Sequence, residues 1–214
     1  PALSRCRTTE WGNCLRRFSA SSKTMKITIL QPSYLPWLGY FDQMARSDRF
    51  VFLDDVQFTR RDWRNRNKIR TREEWGWLTV PVIQKDKFGQ PLLETRINNS
   101  TRWREKHLQS IRHNYAKTPY FDLYFPGFET ILNKAGDSLV ELCIDTTLHL
   151  KKALNISTPT LRSSEMELAE KKADRILALC RKLDATHYLT GDLAKEYLSQ
   201  EDFLRHNIVL EYHN

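Results

Sequence analysis

MKITILQPSYLPWLGYFDQMARSDRFVFLDD, residues 25–55, decides the fold. Lys26–Leu30 is apolar and β-branched and reads as a buried strand. Gln31 follows, then Pro32, Tyr34, Pro36, Trp37, Gly39 and Tyr40 within ten residues. Residues 36–47 read as a helix, with Trp37, Phe41, Met44 and Ala45 on one face. Residues 49–53, RFVFL, form a second strand that stops at Asp54-Asp55. Strand, rigid aromatic turn, helix and strand make a βαβ unit, and that implies a parallel sheet.

The rest of the chain continues the alternation. Residues 58–72 are basic, and 75–82, WGWLTVPV, read as a strand. Residues 84–100 are polar and broken by Gly89 and Pro91. Helices are expected over 102–117, with His107 on the face of Trp103 and Ile111, and over 137–154. Residues 156–161 suit a strand. Ser164 and Glu167 form a capping box for a helix running to Leu183. A short strand at 187–189 ends at Thr190-Gly191, a helix is expected over 192–198, and 208–212 is a last strand. The expected fold is therefore α/β, a mostly parallel sheet with flanking helices.

Lys and Arg number 34 against 26 Asp and Glu, a net +8. Half of that excess lies in residues 1–24, where Arg5, Arg7, Arg16, Arg17 and Lys23 face Glu10. This stretch shows no clear periodicity and lacks the apolar centre of a signal peptide. It reads as a disordered leader or upstream read-through, with Met25 as the natural start and 25–214 as one domain. The weak charge of the remainder argues against nucleic acid as partner. No apolar run is long enough to span a membrane. Cys143 and Cys180 fall on apolar helix stripes, and there is no CxxC or zinc spacing, so no metal site is expected and the protein reads as reduced and cytoplasmic.

Three places carry candidate chemistry. Ligands of parallel sheets bind beyond the carboxyl ends of the strands, where residues 31–40 stand. Gln31 would orient a ligand, and Tyr34, Trp37 and Tyr40 would stack on it or donate hydrogen bonds, with Gly39 allowing close approach. The same residues would also serve a turn that only locks helix to sheet. Asp54 and Asp55 would act as base or amine anchor, with Gln57 beside them, or one would be a loop carboxylate and the other solvated. In WRNRNKI, Arg66 with Asn65 and Asn67 would hold a phosphate or carboxylate; a solvated loop, or a nucleic-acid surface through 60–72, are the competing readings. His107 is an outside candidate for acid–base work, and a satisfied core histidine otherwise.

The series ILQPSYLPWLGYFDQ, FLDDVQFTRRDWRNRNKI, GWLTVPV and YLTGDLAKEYL resembles the WbqC-like family from Met25 to the last residue. Tyr188-Leu189-Thr190-Gly191 is a mild change from the family's YLSG, and Gly191 enters the candidate binding set through it. Members look like accessory enzymes of bacterial surface polysaccharide or O-antigen biosynthesis. The resemblance implies a transferase moving an acyl or aminoacyl group to a sugar or glycoconjugate precursor, with a small-molecule partner such as a sugar nucleotide or acyl donor and no named cofactor. The family continues further, so the chain is expected to be truncated at its C-terminus. A weaker likeness is to nucleotidylyltransferases, whose HxGH box stands where Trp37-Leu38-Gly39-Tyr40 stands here. The glycine and the position match, giving a Rossmann-like, nucleotidylyltransferase-like start, but both histidines are replaced. The alternative to an enzyme is a binding module for nucleic acid or for a protein of glycan assembly.

Overall fold

In the computed structural model, which describes residues 24–59, 62–83 and 89–213, the opening stretch folds as its pattern predicts. β1 (Lys26–Leu30) runs parallel to β2 (Arg49–Phe52), with Ile27 opposite Arg49 and Leu30 opposite Phe52, and α1 (Leu38–Ala45) connects them. β3 (Arg66–Arg70) and β4 (Trp75–Thr79) form a separate antiparallel hairpin. Three helices follow, α2 (Trp103–Tyr115), α3 (Phe121–Lys134) and α4 (Leu139–Ala153). The sheet is then completed by β5 (Thr160–Arg162), α5 (Lys172–Lys182), β6 (His187–Gly191), α6 (Gln200–Arg205) and β7 (Val209–His213).

The main sheet has the order β5-β2-β1-β6-β7, and every neighbouring pair is parallel. It is an α/β fold with helices on both faces. The chain adds strands outward from β1 in one direction, then returns to β1 and adds β6 and β7 in the other. Such a reversal opens a crevice at the carboxyl ends of the central strands.

Strand alternation divides the core. Phe50 and Phe52 point to one face with Tyr40, Met44, Trp103, Phe125, Phe128 and Leu139. Ile27, Ile29, Val51 and Leu53 point to the other, against Ile176, Leu179, Cys180 and Phe203. Thr28 is buried in the middle of the sheet and spends its hydroxyl on Ser47 Oγ at 2.6 Å and Leu189 O at 3.1 Å.

Several local expectations give way. The buried face of α1 is Tyr40, Phe41, Gln43 and Met44, whereas Trp37 and Ala45 are exposed. The basic segment is partly a strand, β3. α3 has no counterpart in the periodicity because Pro126 and Gly127 interrupt it. Gly127 is required there: a Cβ would stand 2.4 Å from His149 of α4, so glycine lets the two helices approach. The expected capping box is absent. Residues Ser163–Glu165 make a one-turn 3-10 helix, and α5 starts at Lys172 with no side-chain cap. The expected leader, residues 1–24, lies outside the described residues except for Thr24. Among the described residues no helix is long and apolar enough to cross a membrane.

Candidate functional site

The two acids that end β2 are held very differently from free carboxylates. Asp54 is fully buried. It accepts hydrogen bonds from Arg162 Nε at 2.7 Å, Ser164 N–H at 3.0 Å and Ser164 Oγ at 2.9 Å. Ser163 Oγ accepts from the Asp54 backbone N–H at 3.2 Å and lies 2.7 Å from Asp55 Oδ1. Asp55 is gripped by the Arg175 guanidinium through Nε at 3.2 Å and through Nη2. Arg175 is itself buried and donates its remaining Nη1 bonds to Leu168 O at 2.7 Å and Glu170 O at 3.1 Å. A buried charge needs such pairing to be tolerated. The network ties the end of β2 to the end of β5 and to α5.

The turn after β1 is built from buried rings. Tyr34 and Tyr40 have no exposed surface. The Tyr34 hydroxyl lies 3.0 Å from His107 Nδ1, beneath the turn. Burial holds His107 down at about 4, so its imidazole is neutral at pH 7. Burial likewise pushes the Tyr40 phenol well up, opposed by the Arg64 guanidinium. Leu35 adopts φ 50°, a left-handed conformation that is costly for a branched side chain. Its carbonyl accepts from Asn67 Nδ2, and the Tyr34 N–H donates to Arg64 O at 3.1 Å. Hairpin and turn are thus laced together. Asn65 is buried and donates to Val80 O at 2.8 Å across the hairpin. Arg66 lies over the Trp77 ring. Trp37 is half-exposed, and its indole folds over Gly39, where a Cβ would sit 2.5 Å from Trp37 Nε1. His213, at the end of β7, lies 2.7 Å from Asp42 of α1, and this bond holds the Asp42 carboxyl below its usual range.

A groove of about 1230 Å³ opens at this carboxyl edge. Gln31, Asp55, Gln57, Lys171, Lys172 and Tyr197 are among its lining residues. Gln57 reaches it because residues 56–58 run against 90–92, with Phe58 N–H bonded to Gln90 O at 3.0 Å and Leu92 N–H to Val56 O at 2.8 Å. Gly89 lines the groove at φ 73°, a backbone that favours glycine. Gln31 is the polar group of greatest interest. Its Oε1 is buried and has no hydrogen-bond partner. Gln43 and Gln90 also leave a buried Oε1 without a partner, but each anchors its amide nitrogen to a backbone carbonyl and neither lines the groove.

The structure therefore brings Gln31, Asp55 and Gln57 to one groove, leaves Trp37, Gly39 and Gly191 at the same edge of the sheet, and seats Tyr34, Tyr40, Asp54, Asn65 and His107 in the interior. Among the described residues no group of three His, Cys, Asp or Glu is placed to hold a metal ion.

The family model of the WbqC-like protein family matches residues 31–214. The chain belongs to that family. A relative from Mycobacterium tuberculosis (strain ATCC 25618 / H37Rv), named "Uncharacterized protein Rv1507c", is 36% identical to this WbqC-like chain over 179 residues, 83% of the chain and 77% of the relative. No solved structure matches the chain.

Residues that carried no site role in the sequence surround these positions in the WbqC-like chain. Arg162, Ser163, Ser164 and Arg175 satisfy the acids from more than 100 positions away. Arg64 donates to Ser33 Oγ at 2.7 Å and stands 3.3 Å from Asp62. Tyr197 lines the groove. It belongs to DLAKEYL, within one of the family-like segments, and that was the available signal.

Proposed function

We propose that this WbqC-like chain is a transferase-type enzyme of bacterial surface polysaccharide or O-antigen biosynthesis. Its small-molecule substrate, an acyl or aminoacyl donor or a sugar nucleotide, enters the groove at the carboxyl edge, and the group passes to a sugar or glycoconjugate precursor. The reaction class rests on the family resemblance. The location rests on one observation: Gln31 buries an unpartnered Oε1 in the wall of the groove at the reversal of the sheet. Burying a polar oxygen without a bond costs about 1–3 kcal/mol, and a ligand donor removes that cost.

In this reading Gln31 and Gln57 orient the substrate, and Lys171 and Lys172 attract its anionic part. Asp55 is the carboxylate on the groove wall, while Asp54 holds the architecture behind it. Trp37 and Tyr197 offer exposed ring surface for the organic portion.

Thermal unfolding with sugar nucleotides, coenzyme A thioesters and aminoacyl analogues tests this. A ligand at 100-fold its dissociation constant adds about 2.7 kcal/mol. The expected result is stabilisation of the wild type by one of these classes and none of Gln31→Met, with the variant folded. Silence of the wild type across all classes, or equal stabilisation of the variant, overturns the assignment.

A further inference from the structure

The β3–β4 hairpin carries a second surface, outside the groove. Its two faces differ sharply. Ile69 and Leu78 turn inward and pack on the core. The outward face places Arg66, Lys68 and Arg70 of β3 opposite Thr79, Trp77 and Trp75 of β4. Trp63 joins from the preceding turn, with its ring 5.3 Å from that of Trp77. Trp63, Trp75 and Trp77 are 43%, 48% and 39% exposed. Lys68 Nζ sits 3.6 Å from the Trp75 ring centre, and the Arg66 guanidinium 4.3 Å from that of Trp77. None of these seven outward residues lines the groove.

Three large rings left half in water mark an interaction surface. The cations over them fix the sign of the partner as anionic. The geometry points to single-stranded nucleic acid: we propose that this hairpin face binds it, bases stacking on Trp63, Trp75 and Trp77 while Arg66, Lys68 and Arg70 pair with successive phosphates. Cations on alternate residues of a strand recur every ~6.8 Å, a spacing suited to an extended phosphodiester chain. Exposed cation–π contacts are worth about 0.5–1 kcal/mol, whereas base–aromatic stacking is worth about 1–3 kcal/mol per base. A base can therefore displace Lys68 from Trp75 and leave the ammonium free for a phosphate.

An acidic polysaccharide is the other anionic polymer that such residues could meet. Its linked rings lie best along coplanar aromatic surfaces. Here the Trp63 and Trp77 planes differ by 37° and the Trp75 and Trp77 planes by 87°. Bases, each free to rotate about its own sugar, fit rings turned in different directions. Glu73 and Glu74 close the hairpin at its far end, beyond the row of cations.

The test is fluorescence anisotropy of a labelled oligothymidylate with the full chain, alongside quenching of tryptophan emission. Three phosphate contacts on a single strand give a slope near −2 in log affinity against log salt, so affinity should fall about 20-fold between about 50 and 200 mM salt. The Trp75→Ala/Trp77→Ala double variant should weaken binding about tenfold or more, and Lys68→Gln should lower the slope by about 0.7. Lys68 is exposed, so that variant reports even where the double variant fails to fold. Three results overturn the proposal: no binding of the oligonucleotide; binding that none of these substitutions alters, which places it elsewhere on the chain; or tryptophan-dependent binding of polygalacturonate with none of the oligonucleotide.

Discussion

β1 and β2 are neighbours in the sheet, and both end at the carboxyl edge with polar residues, yet the two ends are opposites. β2 finishes in Asp54-Asp55, two charges whose oxygens are taken by Arg162, Ser163, Ser164 and Arg175. β1 finishes in Gln31, uncharged, with a buried oxygen that nothing meets. The acid pair is the more conspicuous feature in the sequence and the more completely satisfied one in the fold. The difference teaches that a conspicuous acid pair can be fully satisfied by the fold while a neutral amide beside it keeps a bare oxygen. A saturated carboxylate holds a structure together, and an unsatisfied amide waits for something.

The comparison breaks most visibly at Asp54. Asp54→Ala leaves the Ser164 N–H and hydroxyl without an acceptor and Arg162 with only Glu141, and it should cost about 3 kcal/mol or more in urea unfolding. Stability within 1 kcal/mol would show that the acids are not the clamp described. The turn after β1 has its own titratable support in His107. Its folded value, about 4, lies below the unfolded one of 6.5, so the unfolded chain binds the proton more readily. Its contribution is fully present above pH 6.5 and is lost as pH falls toward 4, by up to roughly 3 kcal/mol. Stability profiles of wild type and His107→Gln should therefore converge in shape above pH 6.5 and diverge below it. Gln31→Met sharpens the contrast from the other side. Removing the orphan oxygen should leave stability unchanged or raise it by about 1 kcal/mol, the reverse of Asp54→Ala. The smallest effect belongs to Gly39→Ala. The new Cβ displaces only an exposed indole, so the melting temperature should move little while the emission of Trp37 shifts.

What was legible in the sequence depended on whether a residue's partner was local. β1 could be read to the residue because KITIL is buried on both faces and bounded by proline. The first half of the hairpin could not. RNKIR offers one apolar side chain, and its outward residues gain ring contacts from Trp75 and Trp77 across the turn. Ser164 looked like a helix cap because its spacing to Glu167 fits one. In the fold its hydroxyl is spent on Asp54, 110 positions earlier. For the same reason the aromatic turn was recognised as special, but the division between buried Tyr34 and Tyr40 and exposed Trp37 was not. That division follows from packing against α2 and the hairpin.

The order of the sheet also bears on how the protein is made. β1 is flanked by β2 and β6, and the contact between Met25 and Thr186 joins positions 161 apart. At about 5–20 residues per second on the ribosome, one edge of β1 emerges roughly 8–30 s before its β6 partner exists. Through that interval a strongly apolar strand presents open backbone groups, the situation that invites pairing with the wrong chain. β1 is thus synthesised long before both of its edges are enclosed, and yield on expression should depend on whatever shelters the open edge in the meantime.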